Sequence, residues 1–237
     1  MELAPGLHRI GNDIVAFYLV ATPEGVTLVD AGLPGHWREF VAELSAMGRS
    51  LGDVRGVVLT HGDGDHIGIA ERVRRDHGVP VFVDEGDAAR AKGAKPPKTG
   101  PDPWRLGAVL RFAGYALRRG GVRATHLTEV VEVRDGDVLD LPGAPRIIGL
   151  PGHSPGSIAV HVAAVGALFV GDGLTTRNVL TGVTGARPAP FTDDPKEALA
   201  SLARLEGIEA DWVLPGHGTP WTRGVDALLR ELRRAAG

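Results

Sequence analysis

Short β-branched, apolar runs recur along this chain, and each stops at glycine or proline beside an ionisable residue. Residues 26–29 stop at Asp30-Ala31-Gly32, and residues 54–59 run into Thr60-His61-Gly62. Residues 146–150 precede Pro151-Gly152-His153, residues 167–170 precede Gly171-Asp172, and residues 212–214 precede Pro215-Gly216-His217. Apolar runs this short, bounded by turn residues, read as buried strands. A strand end is a rigid place from which to project a side chain, and small neighbours let several loops crowd one point. The pattern therefore constrains the chain to a sheet-based fold that gathers its polar residues at strand ends.

The remaining elements fit between these runs. Residues 14–20 and 26–29 flank the turn Thr22-Pro23-Glu24-Gly25, which predicts a β-hairpin. Residues 37–47 place Phe40, Val41 and Leu44 at helical spacing, and residues 67–75 read as a helix with a basic outer face. Residues 79–83 and 158–162 are further strands. A helix over residues 196–205 is announced by Asp193, Asp194 and Pro195, and a last helix covers residues 225–234. Two strand-rich halves, each followed by helices, predict an α/β (α+β) architecture with sheets covered by helices. Residues 92–123 interrupt the alternation with a Pro/Lys loop and a helix at about 104–119, and read as a capping insertion.

Composition narrows the chemistry. A chain of 237 residues with a net charge of −3 is long enough for one large domain with a substantial core. Cysteine is absent, so disulfides, thiolate ligands and a cysteine nucleophile are excluded, and any metal must be held by nitrogen and oxygen. No apolar run approaches the roughly 20 residues needed to cross a bilayer. The start, Met1-Glu2-Leu3-Ala4-Pro5-Gly6, lacks the features of a secretory signal, so a cytoplasmic location is expected. Nothing reads as a nucleic-acid-binding module. Gly152-His153-Ser154-Pro155-Gly156 has the Gly-x-Ser-x-Gly spacing, but a strand at residues 158–162 follows it where a nucleophile elbow needs a helix, so no serine-hydrolase signature competes.

Four pieces occur in order: Val29-Asp30-Ala31-Gly32; Thr60-His61-Gly62-Asp63-Gly64-Asp65-His66-Ile67-Gly68; Gly152-His153-Ser154-Pro155-Gly156-Ser157 with Gly171-Asp172 after it; and Pro215-Gly216-His217-Gly218. Together they resemble the metallo-β-lactamase-fold hydrolases, across nearly the whole chain apart from the insertion. The resemblance implies a four-layer αββα sandwich with a two-metal site between its sheets. By position, His61, Asp63 and His153 would hold the first metal, and Asp65, His66 and His217 the second. Asp172 would bridge the two, and Asp30 would support the ligand loop through hydrogen bonds. Imidazole and carboxylate donors suit Zn, with Mn or Fe as alternatives.

The family's usual run is His-x-His-x-Asp-His, and here Asp63 replaces the second histidine. A carboxylate is shorter than an imidazole ligating through its far nitrogen, so the first site is expected to be weak unless the loop moves inward. With Asp63, Asp65 and Asp172, two divalent ions leave the core at +1, against +2 with a histidine at position 63. A less positive core acidifies bound water less. The redox-active flavodiiron branch of the fold also carries a carboxylate here, which makes a diiron redox protein the alternative reading. A non-catalytic metal-binding relative is the third.

The expected activity is hydrolysis of a small ester, lactone or thioester by a metal-bound hydroxide, with Asp65 orienting the water and moving its proton. The insertion carries Lys92, Lys95, Lys98, Arg105, Arg111, Arg118, Arg119 and Arg123 against Asp102, a net of +7 that leaves −10 on the rest. With Trp104, Leu106, Val109, Leu110, Phe112, Ala113 and Leu117 it would form a basic, apolar cap. Such a cap suits an acyl substrate on an anionic carrier; a homodimer through the insertion is the plainer alternative. Neither nucleic acid nor stable membrane insertion is expected. The loop 174–194 is expected to shape the pocket, with Arg177 and Asn178 as contacts of lower rank.

Overall fold

The computed structural model describes residues 1–95, 97, 102–121 and 125–236, so Lys98 and Arg123 of the insertion lie outside the described residues. Strands β1 (Glu2–Ala4), β2 (Leu7–Gly11), β3 (Ala16–Thr22) and β4 (Gly25–Val29) open the chain, followed by helix α1 (Trp37–Ala46) and β5 (Val54–Val58). Next come α2 (Ala70–His77), β6 (Val81–Asp84), the single turn α3 (Ala88–Ala91), α4 (Leu106–Arg118) and β7 (Val131–Val133). The second half contains β8 (Arg146–Gly149), β9 (Ile158–Val162), β10 (Ala167–Gly171) and the short pair β11 (Thr175–Arg177) and β12 (Thr184–Arg187). It closes with α5 (Pro195–Ser201), β13 (Trp212–Pro215) and α6 (Val225–Ala236).

The first seven strands form one sheet in chain order, antiparallel through β4 and parallel from β4 to β7. The second sheet runs β13-β10-β9-β8. The hairpin predicted at residues 22–25 closes β3 on β4, with Thr22 opposite Gly25. Asp194 caps α5 by accepting from the backbone N–H groups of Lys196 and Glu197 at 2.9 and 3.0 Å, with Pro195 in the first turn.

Strand periodicity sorts the apolar side chains into three layers of core. In β3, Phe17 and Leu19 face Phe40 and Leu44 of α1, while Tyr18 and Val20 face the other sheet. In β10, Leu168 and Val170 face Leu202, Leu205 and the α6 leucines, while Ala167 and Phe169 face the first sheet. Alternate residues of one strand thus feed two different cores, which is the period-two rule applied to sheets covered on both faces. The result is the four-layer αββα sandwich, with helices outside both sheets.

β1, β2, β7 and the β11–β12 ribbon were not legible as strands. β2 carries His8 and Arg9 within it; both are buried because His8 pairs with Glu43 and Arg9 reaches Asp13 and the Gly218 carbonyl. The loop after Asp172 contains the β11–β12 ribbon. Helix α4 begins at Leu106, two residues later than expected, and none of its residues is fully buried. Phe112, Tyr115 and Ala116 pack on Ile14, Val15 and Leu33, whereas Leu106, Leu110 and Leu117 point outward, each more than 60% exposed. Among the described residues no helix is long and apolar enough to cross a membrane.

Phe169 is 1% exposed and packs its ring 5.4 Å from that of Tyr18 across the intersheet core. Phe169→Ala is expected to cost roughly 3–5 kcal/mol through lost burial and the cavity left behind. Denaturant unfolding checks this, and a loss below about 1 kcal/mol would contradict the layer assignment.

Candidate metal centre

The strands that carry the polar residues all finish at one edge. β4, β5 and β6 are mutually parallel; β8 and β10 are both antiparallel to β9, and β13 is parallel to β10. Their carboxyl ends therefore deliver Asp30, the 61–66 loop, His153, Asp172 and His217 to a common seam. Backbone bonds tie the two sheets there: Ile158 N–H donates to the Thr60 carbonyl at 2.9 Å and Ala16 N–H to that of Gly216 at 2.9 Å. Position 216 has to be glycine, since a Cβ there would stand 2.3 Å from His66 Cε1 and 2.9 Å from Asp172 Oδ1.

All four histidines are oriented the same way. Nδ1 of His61 meets Thr60 Oγ1 at 3.0 Å, that of His66 meets Asp30 Oδ2 at 2.9 Å, and that of His153 meets Thr192 Oγ1 at 3.3 Å. Nδ1 of His217 bonds the Ile14 carbonyl. With the outer nitrogen held, each Nε2 points inward. Asp30 accepts from His66 and from both the N–H and hydroxyl of Thr60, so one carboxylate braces two neighbouring imidazoles.

The inward atoms form three overlapping triads: His61, Asp63 and His153; Asp65, His66 and His217; and His61, His66 and Asp172. Asp63 Oδ2 lies 3.6 Å from His61 Nε2 and 3.3 Å from His153 Nε2. Asp65 Oδ2 lies 3.4 Å from His217 Nε2. Asp172 stands between the groups, 3.6 Å from His66, 3.2 Å from His217 and 3.8 Å from His153. Donor atoms held tetrahedrally at ~2.0–2.1 Å from an ion stand about 3.3–3.4 Å apart, so these spacings suit ions better than direct hydrogen bonds. His61 Nε2, His66 Nε2 and Asp172 Oδ1 are buried with no hydrogen-bond partner. Such orphans cost about 1–3 kcal/mol each, and all three converge where a cation would satisfy them. The donor set fits divalent metal.

Without a cation the cluster balances its own charge. Burial opposes charging His66, but Asp30 and Asp172 outweigh it and raise the pKa from 6.5 to about 10. Burial likewise opposes a charge on His217, and Asp172 lifts it to about 8. His61, deeply buried and facing His66 and His153, is held well below the ordinary imidazole value. Burial would raise Asp63 and Asp172, but facing histidines, with Arg90 in the case of Asp63, hold both below the usual carboxylate range.

Sequence reasoning missed three supporting residues. Asp87, fully buried, accepts from Gly62 N–H at 2.7 Å, Gly156 N–H at 2.9 Å and Ser154 Oγ at 2.8 Å, joining the His61 and His153 loops. It follows β6 as Glu85-Gly86-Asp87, the same strand-end pattern that marked the other sites, and could have been found from it. Arg90 grips Asp63, and Thr192 orients His153. Their partners are 27 and 39 residues away, with no local signal.

A cavity of about 620 Å³ opens over the cluster. Its floor is Asp63, Asp65, His153, Asp172 and His217, and its walls include Leu33, Phe112, Ala116, Val179, Pro190 and Phe191. The helix expected to form a basic, apolar cap meets the cavity with its apolar side. Arg105, Arg111 and Arg118 are exposed, and among the described residues Arg90 is the only lysine or arginine lining the cavity. The helix packs its apolar face inward, and charge stays in water because burying it unpaired is costly. Arg177 and Asn178 do not line the cavity; Asn178 Oδ1 instead accepts from the Leu180 and Thr181 N–H groups and shapes a turn. Ser154 serves Asp87.

A sandwich with a His/Asp cluster of this composition at one sheet edge defines a metal-binding hydrolase class. The chain belongs to the metallo-beta-lactamase superfamily, whose pattern matches residues 10–217. It is 29% identical over 233 residues to a probable metallo-hydrolase, YflN of Bacillus subtilis, covering 93% of this chain and 87% of that one. It superposes on the metallo-beta-lactamase family protein TTHA1429 of Thermus thermophilus with a TM-score of 0.70 and 24% identity, over 99% of this chain and 79% of the other. TTHA1623, solved in a di-iron-bound form, matches with a TM-score of 0.64 and 26% identity over 95% and 98% of the two chains. The fold implies divalent metal ions, and the His/Asp groups above are their candidate ligands.

In chelator, His66 and His217 keep protons in the folded state at pH values where the unfolded chain has lost them. Their stabilising contribution is complete below about pH 6.5 and is lost as pH rises through 8 and then 10. The unfolding temperature of the chelated protein should therefore fall between pH 7 and 10, followed by circular dichroism. A flat or rising profile across that window would contradict the charge assignment.

Proposed function

We propose that this protein hydrolyses a small ester, lactone or thioester at a two-metal centre. The observation that carries the reading is the convergence of four inward Nε2 atoms and three carboxylates at tetrahedral-edge spacing under an apolar-walled cavity. His61, Asp63 and His153 would hold one ion; Asp65, His66 and His217 the other; Asp172 would lie between them, and Asp30 would brace the loop. Bound ions supply a Lewis acid for the acyl oxygen and acidify water. Zn fits a set of imidazoles and carboxylates lacking thiolate, with Mn and Fe as alternatives.

The chain's own groups do the rest. Asp65 is accessible from the cavity beside His217 and takes the proton of the attacking water as its oxygen bonds to the acyl carbon. The carbon–oxygen or carbon–sulfur bond then breaks, and Asp65 returns the proton to the leaving group. Phe112, whose ring stands 6.5 Å from that of His217, and Ala116 cover the cluster, so α4 acts as a cap. Excluding water there strengthens every electrostatic contact inside.

A second reading, a diiron redox protein, is favoured by the carboxylate at position 63 and by the similarity to TTHA1623 in its di-iron form. Protein purified without chelator should contain two equivalents of metal by elemental analysis and turn over a generic lactone, thioester or aryl ester. Asp65→Ala is expected to lower that turnover by about 10²–10⁴-fold. His153→Ala should reduce both turnover and metal content. Iron absorption bands with oxygen consumption and no ester turnover would move the assignment to redox chemistry. Protein free of metal and inert in all assays would make it a non-catalytic relative.

A further inference from the structure

Arg90 is a buried arginine that the reaction above does not use. Its Nε donates to Asp63 Oδ1 at 2.5 Å and its Nη2 to Oδ2 at 3.0 Å, while Nη1 donates to Asp193 Oδ2 at 2.8 Å. We propose that Arg90 is a positioning residue for the first metal, holding Asp63 so that carboxylate and guanidinium together replace the neutral imidazole of the usual His-x-His-x-Asp-His run. This rests on the two-metal reading.

Three observations support it. Reach comes first: an aspartate is shorter than a histidine, yet Asp63 Oδ2 comes within 3.6 and 3.3 Å of His61 and His153 Nε2. The loop therefore stands close enough for the shorter side chain to reach, and α3 with its preceding Asp87 holds it there from two sides. Asp87 accepts the Gly62 N–H, and Arg90 takes the Asp63 side chain. A Cβ on Gly62 would lie 2.7 Å from Ala91 N and 3.0 Å from Arg90 Cβ, so only glycine lets α3 sit this close.

Denticity is the second. A bidentate guanidinium occupies one acceptor direction on each carboxylate oxygen and fixes the plane of the group. Oδ1 is turned away to Arg90, leaving Oδ2 to face the two imidazoles as a single donor, as a histidine nitrogen would. The third is charge. The carboxylate added at position 63 would lower the core from +2 to +1, and the paired guanidinium offsets it locally; Asp193, on the far side of Arg90, shares the same guanidinium, so the set as a whole stays at +1. Hydrogen-bonded partners of ligands are worth about 10–100-fold in metal affinity.

The test is equilibrium dialysis against Zn²⁺ with elemental analysis, on wild type, Arg90→Gln, Arg90→Lys, Asp63→His and Asp63→His/Arg90→Gln, with the unfolding temperature of each in chelator. Wild type should bind two ions. Arg90→Gln should weaken one of them by about 10–100-fold and leave the other unchanged. Arg90→Lys, which keeps the charge but cannot bridge both oxygens, should fall between and is the variant to read if Arg90→Gln does not fold. Adding Asp63→His to Arg90→Gln should restore the second ion, because an imidazole does not need the guanidinium. Two ions in wild type with unchanged or tighter binding in Arg90→Gln and Arg90→Lys would overturn this proposal alone. Wild type that takes up fewer than two ions would overturn the two-metal reading, and this with it.

Discussion

The site depends on the outer nitrogen of each histidine being held. Four imidazoles and three carboxylates crowd one seam between two sheets, and most are almost wholly buried. Thr60, Asp30, Thr192 and the Ile14 carbonyl fix the Nδ1 side, so the Nε2 side has one direction left. Those tethers come from the loops of the first sheet and from the loop before α5, whereas His153 and His217 follow strands of the second sheet. The imidazoles therefore converge only when the sandwich is closed, and closing it strands polar atoms that need a cation. Fold and site are two descriptions of one packing problem.

Much of this was legible in the sequence because it is written locally. Alternating burial in β3 and β10, the hairpin at Thr22–Gly25 and the Asp194 cap each depend on residues within a few positions. The candidate ligands were proposed from resemblance, and the structure brings His61, Asp63, Asp65, His66, His153, Asp172 and His217 together with Asp30 behind His66. What escaped is long-range. β2 hides because buried His8 and Arg9 break its apolar run, and their partners lie far along the chain. Arg90 is one arginine in an alanine-rich turn, and nothing local says that its carboxylates are Asp63 and Asp193. The outward turn of the α4 arginines was also invisible, since a net charge does not say which way a helix rolls.

The substitution at position 63 looked, in sequence, like a weakness in the first site. In three dimensions the shorter side chain is accompanied by a loop tethered through Gly62 to Asp87, a close glycine contact and a paired guanidinium. Each of these makes sense only with the others. A histidine at 63 would leave Arg90 with Asp193 as its sole carboxylate partner. The departure is thus a coordinated set of residues, and it concerns the geometry of one ion more than the total charge.

That pairing also bears on the substrate. Among the described residues the cavity has one arginine and no lysine, and both ends of that arginine already bind carboxylates. An anionic carrier group would meet Asp63, Asp65 and Asp193 with no uncommitted cation beside them, while the surface arginines of α4 lie on its outer side. Among the described residues, selective recognition of a charged group in this cavity has no uncommitted cationic partner. Leu33, Phe112, Val179 and Phe191 instead offer contact to an apolar acyl or ring portion. For the proposed hydrolysis, the described lining is thus better matched to an uncharged acyl portion than to one that carries negative charge beside the scissile bond.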